Sequence, residues 1–198
     1  LLRIADTPPR AYRSARVTGS AWVLARSDTR TVGSAPQGQL GGSQIGARLL
    51  VPAPRVFPEG VRLSLRATDA LETKGGRELA PGISWKPLDR LPLEIIAERR
   101  LRLSPGEHDA FSILMAGGVS NLSVMHKVWV DAYAQAGIVG LSRGLKFADG
   151  AVSARTEIAP RTRLGLGLWG GAQPGLSRVD TGPSLRVDLP AASISADW

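Results

Sequence analysis

Apolar and polar residues alternate one for one along several stretches of the chain. In Val61–Thr68 every odd-numbered residue is apolar and every even-numbered residue is polar. A strand places alternate residues on opposite faces, whereas a helix would scatter these apolar side chains around its circumference. The pattern therefore predicts a two-faced β-strand. The same alternation, with single exceptions, recurs in Leu93–Leu103, Val128–Ile138, Arg163–Leu168 and Arg178–Leu189.

Weaker alternation covers six further segments, and turn residues separate the segments from one another. The weaker segments are Arg13–Arg26, Gln44–Val51, Leu79–Lys86, Ala110–Val119, Lys146–Ile158 and Ala192–Trp198. Clusters of Gly, Pro, Asn and Asp, at which chains reverse, occur at Thr73–Gly76, Lys86–Arg90, Ser104–Glu107, Val119–Asn121, Ala159–Arg161 and Gln173–Gly175. No stretch shows helical spacing bounded by caps. The chain is predicted to be an all-β antiparallel meander of about eleven strands.

Strand length and side-chain type favour a membrane barrel over a soluble sandwich. The candidate strands run for roughly 9 to 14 residues, which is enough to cross a bilayer at a tilt. Backbone groups in hydrocarbon must pair within the protein, so such a sheet has to close, and Leu1–Tyr12 would supply one more strand. The expected fold is an antiparallel up-and-down transmembrane β-barrel of about 12 strands. It would form one domain over residues 1–198, with a long loop at 27–42, either as a stand-alone barrel or as a fragment of a longer protein.

The polar faces of these strands would point into the lumen. Their charge is balanced, because seven arginines face seven carboxylates. The arginines are Arg62, Arg66, Arg100, Arg102, Arg155, Arg178 and Arg186, and the carboxylates are Glu94, Glu98, Asp131, Asp149, Glu157, Asp180 and Asp188. The candidate lumen-facing or ligand-binding residues are Arg62, Arg66, Glu94, Glu98, Arg100, Asp131, Tyr133, Gln135, Arg155, Glu157 and Arg186. Four of the arginines (Arg62, Arg66, Arg155 and Arg186) would attract acidic groups, and Tyr133 and Trp129 could stack on sugar rings.

Interfacial aromatic girdles are expected of a membrane barrel. With 5% aromatic residues, this chain would have to build them from Trp22, Trp85, Trp129, Trp169, Trp198, Phe57, Phe111, Phe147, Tyr12 and Tyr133.

Composition narrows the chemistry further. The 198 residues include no cysteine and two histidines, which excludes disulfides, thiolate metal sites and histidine-rich metal sites. The net charge of +8 would ordinarily suggest nucleic acid as a partner. However, residues 1–50 carry seven arginines against two aspartates, and the remaining chain is nearly balanced. This distribution, with few aromatics among the basic residues, argues against nucleic acid. No cofactor or metal is predicted.

Several segments resemble a known family. They are Gln39–Gln44, Pro92–Arg100, Asp131–Gly137, Trp169–Gly175 and Asp180–Leu185. Together they resemble the C-terminal β-barrel region of Gram-negative outer-membrane proteins that carry tetratricopeptide repeats upstream, of the exopolysaccharide-export or phage-adsorption type. The resemblance covers roughly residues 39 to 189 and carries no catalytic signature. It implies a location in the bacterial outer membrane, with the lipid bilayer, lipopolysaccharide, polysaccharide and periplasmic export components as partners. An alternating last strand that ends on an aromatic residue, here Ile194, Ala196 and Trp198, is similar to the ends of outer-membrane barrels.

Two motifs suggest enzymatic chemistry. Gly165–Gly170 fits the dinucleotide-binding pattern G-x-G-x-x-G, but no helix is predicted to follow it. Gly140–Gly144 fits G-x-S-x-G, with Ser142 as the nucleophile, but nothing places His108 or His126 beside it. A hairpin turn is the favoured interpretation.

The leading hypothesis for function is a non-enzymatic outer-membrane barrel, either a porin-like pore or a membrane anchor, linked to polysaccharide export or to a surface-receptor role. The alternatives are a soluble basic β-sheet module that binds nucleic acid or acidic polysaccharide, and an outer-membrane hydrolase that uses Ser142.

Overall fold

The fold consists of β-strands, as the alternation predicts. The computed structural model describes residues 2–5, 17–24, 43–71, 76–88, 91–104, 108–140, 144–190 and 192–198. Within these ranges there is no helix, and hence none that could span a membrane. The strands are β1 (Leu2–Ala5), β2 (Thr18–Leu24), β3 (Gln44–Pro52), β4 (Val61–Ala70), β5 (Glu78–Trp85), β6 (Leu93–Arg102), β7 (Ala110–Met125), β8 (Val128–Val139), β9 (Leu145–Ala159), β10 (Thr162–Gln173), β11 (Leu176–Asp188) and β12 (Ser193–Asp197).

Eleven strands, β2 to β12, form one antiparallel up-and-down sheet in which each strand pairs with the next along the chain. The longest ladders join β8 to β9 and β10 to β11, the latter from Thr162 paired with Val187 to Gln173 paired with Leu176. The backbone of β1 pairs with β12 through four residues and with β2 through three. The prediction of an all-β antiparallel meander is confirmed.

The two faces of the sheet carry different kinds of side chain, as the alternation of the sequence predicts. One face carries aliphatic side chains that remain exposed, such as Leu65 and Ile113. The other face carries charged and hydroxyl side chains that are almost fully buried, such as Arg66, Glu98 and Ser184. This distribution is the reverse of that in a soluble globular domain, where charged residues are almost never fully buried unless they are paired.

The polar face is concave. Arg48 on β3 bonds to Glu98 on β6, and Arg186 on β11 bonds to Asp131 on β8. In a flat sheet, strands three positions apart lie about 14 Å from each other. Contacts between side chains three strands apart, together with the pairing of β1 with both β12 and β2, indicate that the sheet curves toward this face. We call it the inner face, and the aliphatic face the outer face.

One predicted turn is wrong. Val119–Asn121 was expected to reverse the chain, but β7 continues through it to Met125. The register with β8 shifts between Val119 and Leu122, and Asn121 has a φ of 59°. An extra residue in one strand produces a bulge rather than a reversal. The chain turns at His126–Lys127 instead. The turns predicted at Ala159–Arg161 and Gln173–Gly175 are confirmed, because two-residue turns at 160–161 and 174–175 join the strands there.

The aromatic residues named for the girdles divide between the two faces. Trp85, Phe111 and Trp198 are 42–61% exposed, at or near strand ends, whereas others lie on the inner face. Trp22 lies on the inner face, where its ring covers Gly46 on the neighbouring strand. The register likewise places Trp129, Tyr133 and Trp169 on the inner face. These four aromatic residues therefore cannot belong to a girdle on the outer face. The remaining predicted feature, the loop at 27–42, lies outside the described residues.

Candidate functional site

The candidate site is a network of ion pairs on the inner face. Its first part spans β3 to β6, and we call it the first cluster; its members are Arg48, Arg62, Arg66, Glu78, Glu94, Glu98 and Arg100. Glu98 lies at its centre, and its side chain has no exposed area. Arg48 Nη2 donates to Glu98 Oε1 at 2.6 Å, while Arg66 donates to Oε2 from Nε at 3.1 Å and from Nη2 at 3.0 Å. Glu98 therefore binds two arginines that come from different strands.

The other two glutamates of the first cluster are bound in the same way. Arg66 Nη2 donates to Glu78 Oε1 at 2.6 Å, and Arg100 Nε donates to Glu78 Oε2 at 2.7 Å. Glu94 accepts a hydrogen bond from Arg62 Nη2 at 2.5 Å and another from the Ser84 hydroxyl. Arg66 is thus shared between Glu78 and Glu98, which connects these two glutamates with Arg48, Arg66 and Arg100 in one network. Arg62, Glu94 and Ser84 form a second bonded group beside it.

A second cluster lies on β8 to β12; its members are Asp131, Arg155, Arg163, Arg186, Asp188 and Asp197. Arg155 pairs with Asp131 and with Asp197, and its Nε donates to Ser184 Oγ at 2.9 Å. Arg186 Nη1 reaches Asp131 Oδ1 at 3.3 Å, and its Nε donates to Asp188 Oδ1 at 2.8 Å. Arg155 and Arg186 are among the most buried charged residues of the sheet.

The backbone bulge in β7 helps to hold Asp131. The Asn121 amide and the Ser120 hydroxyl each donate to Asp131 Oδ1 at 2.7 Å. Asp131 therefore accepts bonds from the bulge and from two arginines. The deviation from the predicted turn thus has a structural role, because it brings an amide and a hydroxyl to this carboxylate.

Tyr133 and Gln135 lie together at a third point of the inner face. The Tyr133 hydroxyl donates to Asp149 Oδ2 at 3.1 Å, and Gln135 Nε2 donates to Asp149 Oδ1 at 2.8 Å. Trp129, which was expected to stack on sugar rings, instead stacks against a protein group. The guanidinium of Arg163 lies 4.2 Å from the centre of its ring.

Not every predicted lumen residue joins the network. Glu157 has the alternation of the inner face but is exposed near the end of β9. Arg102 lies opposite Glu78 in the register, yet no side-chain bond of Arg102 occurs among the described residues. Arg178 pairs with Asp180 two residues along its own strand, at 2.5 Å.

Sequence reasoning missed four members of the two clusters: Arg48, Glu78, Arg163 and Asp197. Arg48 alternates with Ala47 and Leu49 and could have been found from that pattern. Glu78 was missed because the predicted strand began one residue too late. Asp197 was missed because the alternation of the short last strand gave no indication that its carboxylate would meet Arg155, three strands away.

Four buried polar atoms in the first cluster and beside it have no hydrogen-bond partner: Arg48 Nε, Ser64 Oγ, Arg100 Nη1 and Ser112 Oγ. Ser64, Arg100 and Ser112 are each at most 4% exposed. All four residues lie on the inner face, in two adjacent rows of the register across β3 to β7. A buried polar group without a partner is costly and calls for an explanation.

Among the described residues, the motifs that suggested an enzyme do not form a reactive site. Gly165–Gly170 lies within β10, so its glycines do not lead into a helix. The central residues of Gly140–Gly144, including Ser142, lie outside the described residues. His108 and His126 are both exposed. No group of three or more metal-ligating side chains occurs in the described part of the chain.

Comparisons with known proteins add no assignment to this geometry. No family model matches the chain, and no curated protein and no solved structure matches it either.

Proposed function

We propose that the chain is a non-enzymatic β-barrel of the bacterial outer membrane that serves as a membrane anchor with an occluded interior. The observation that carries the proposal is the inverted polarity of the sheet. Leu65, Leu166 and Val179 are between 43% and 73% exposed on the outer face, while the charged network is buried on the inner face. Lipid is the environment in which exposed aliphatic rows are stable.

Closure of the sheet is the second part of the proposal. An open edge within hydrocarbon would leave backbone groups unpaired, at several kcal/mol each. The pairing of β1 with both β12 and β2 supports closure, because it joins the two ends of the eleven-stranded sheet.

The dimensions of the outer face agree with a bilayer. On β8, the outward positions from Val128 to Ile138 are all apolar. Eleven residues at a tilt of about 40° span about 26 Å, close to the apolar band of membrane barrels. On β4 the band is narrower, because Asp69 follows Ala67 on the outer face. Asp69 forms an ion pair with Arg77, and this pair lies where the band ends.

An anchor has more support than a wide pore. The side chains of Arg66, Glu98 and Arg155 fill the concave side and are at most 10% exposed. Small barrels have interiors filled by side chains, whereas open aqueous channels occur in larger ones. The resemblance to barrels that follow tetratricopeptide repeats is consistent with an anchor in a larger export or receptor protein.

The alternative, a soluble module that binds acidic polymers through its arginines, has less support. Arg62, Arg66, Arg155 and Arg186 are the arginines that would have to meet such a ligand, and all four are at most 9% exposed. A polymer on the outer face would meet aliphatic side chains instead.

The test is heat-modifiable migration in detergent gels. The full chain, expressed and extracted with detergent, should migrate differently before and after boiling, because a closed barrel resists unfolding in detergent. It should also partition with the membrane fraction. A chain that stays monomeric and folded in buffer without detergent would refute the proposal.

A further inference from the structure

We infer that two neighbouring hairpin turns bind the phosphate groups of anionic membrane lipids through Lys127 and Arg161. The turns are His126–Lys127, between β7 and β8, and Pro160–Arg161, between β9 and β10, and we call them the basic turns. The inference rests on the proposed membrane barrel and gives it a headgroup site. It is supported by the backbone conformation of both residues, by their exposed charge and by the aliphatic face that leads to them.

The two cations occupy a backbone conformation that ordinarily holds glycine. Lys127 has a φ of 60° and Arg161 a φ of 63°. A side chain with a β-carbon adopts positive φ at a cost in free energy, so glycine or asparagine is favoured at such a position of a turn. The turn at the opposite end of β10 follows this rule, because Pro174 precedes Gly175, whose φ is 79°. Arg161 follows Pro160 in the same way without the freedom of glycine, and backbone strain of this kind clusters at functional positions.

The charges of the basic turns are exposed and are not neutralised by an ion pair in the described part of the chain. Glu157 lies near them, but it has the alternation of the inner face. At the other end of the sheet, exposed cations are paired with carboxylates: Arg77 with Asp69, Arg99 with Asp109 and Arg178 with Asp180. The end that carries the basic turns is therefore the one that offers unpaired positive charge to an anion.

The aliphatic outer face continues up to the basic turns. Met125, which is 69% exposed, directly precedes the first turn and pairs with Val128 just after it. Ile158, which is 58% exposed and outward by the alternation of β9, lies two residues before Pro160. Lysine and arginine lay their aliphatic stems along such a surface and keep the charged group in water. A molecule that contacts both features needs acyl chains and an anionic group, which favours a lipid phosphate over free phosphate.

The basic turns are close enough to act on one lipid. β8 pairs with β9 along its whole length, beginning with Val128 opposite Thr156, so the two turns are neighbours at the same edge of the sheet. They are separated by two strand spacings, or about 10 Å. Two long cationic side chains at this separation can converge on one headgroup.

The test is native mass spectrometry of the detergent-purified full chain, titrated with phosphatidylglycerol or with phosphatidylcholine of the same acyl chains. We expect phosphatidylglycerol to bind more tightly. Each cation near an anionic lipid surface contributes about fivefold in affinity, so Lys127→Gln/Arg161→Gln should raise the Kd for phosphatidylglycerol about 20-fold and leave that for phosphatidylcholine unchanged. The control Arg77→Gln/Lys146→Gln removes the same charge from exposed positions at the other end of the sheet and should change neither Kd.

Three results would overturn the inference: an unchanged Kd for phosphatidylglycerol in Lys127→Gln/Arg161→Gln, an equal loss of affinity for both lipids, or an equal loss in the control. A second variant, Lys127→Gly/Arg161→Gly, relieves the backbone and removes the charge together. It should raise the urea midpoint of unfolding in detergent while weakening the binding of phosphatidylglycerol. A lower midpoint would show that the two side chains serve the fold instead.

The outcomes also separate this inference from the proposed function. A chain with heat-modifiable migration but no preference for phosphatidylglycerol refutes only the headgroup site. A chain that is folded and monomeric without detergent refutes the membrane barrel. The titration still decides the headgroup site in that case, because the lipids are supplied in detergent micelles.

Discussion

Replacing Glu98 by Gln tests the buried network most directly. The substitution keeps the shape of the side chain but removes its charge, so that Arg48 and Arg66 each lose their partner at this position. Breaking a buried ion pair from one side costs about 3–5 kcal/mol, because the remaining charge is left buried and uncompensated. Since Glu98 binds two arginines through three hydrogen bonds at 2.6 to 3.1 Å, we expect a loss of unfolding free energy near the upper end of that range.

The assay is equilibrium unfolding in urea of the chain refolded into lipid vesicles or detergent. A loss of about 4 kcal/mol corresponds to a midpoint lower by about 2 M, for a urea dependence of about 2 kcal/mol per M. Glu157→Gln is the matched control, because Glu157 belongs to the same alternation but is exposed, and its change should stay within about 0.5 kcal/mol. Arg48→Gln in the Glu98→Gln background should recover part of the loss. A loss below about 1 kcal/mol for Glu98→Gln would refute the buried network.

Three further substitutions probe the outer face, the backbone contacts and the second cluster. Leu166→Arg should lower the free energy of unfolding in vesicles by about 2–4 kcal/mol if residue 166 lies at mid-bilayer. On a solvated sheet the loss should be less than about 0.5 kcal/mol, so the urea midpoint distinguishes a lipid-facing position from a solvated one. Gly82→Ala should lower the thermal midpoint, because its Cβ would collide with the backbone of β6, whereas Gly19→Ala, which has room for a Cβ, should not. Arg155→Lys should cost about 2 kcal/mol by urea unfolding, since an ammonium cannot bond to Asp131, Ser184 and Asp197 in the same fork; an unchanged midpoint would contradict the shared role of Arg155.

The alternation of residues was sufficient to predict most of the fold. Val61–Thr68 and Val128–Ile138 lie within β4 and β8, because a strand with one lipid-like and one polar face has a period of two that other structures do not share. The bulge at Asn121 could not be predicted in this way. Asparagine favours a turn and a bulge through the same tolerance of positive φ, and the choice between them depends on pairing with β8.

The candidate site was less accessible to sequence reasoning than the fold. Alternation assigns Arg66 and Glu98 to a polar face, but it cannot say that they meet, since they lie on strands separated by β5. That contact depends on the register of three strands and on the curvature of the sheet. The aromatic residues were informative only in part for a related reason. A girdle requires outward positions near the strand ends, which Trp85 and Phe111 occupy, whereas Trp129 and Tyr133 occupy inward positions.

The inner face combines long charged side chains with very small neighbours, and this combination explains how the charge can be buried. Arg155 lies beside Gly165, which pairs in turn with Ser184. Because Gly165 has no side chain, the Arg155 guanidinium crosses β10 and donates to the Ser184 hydroxyl at 2.9 Å. Farther along the same face, on β6, Glu98 likewise lies against Gly82. An arginine or glutamate beside glycine or serine can therefore lie flat over the neighbouring strand and reach the next one. The same residues on a face with larger neighbours would point away from the sheet, and the carboxylates and guanidinium groups would remain too far apart to form one network.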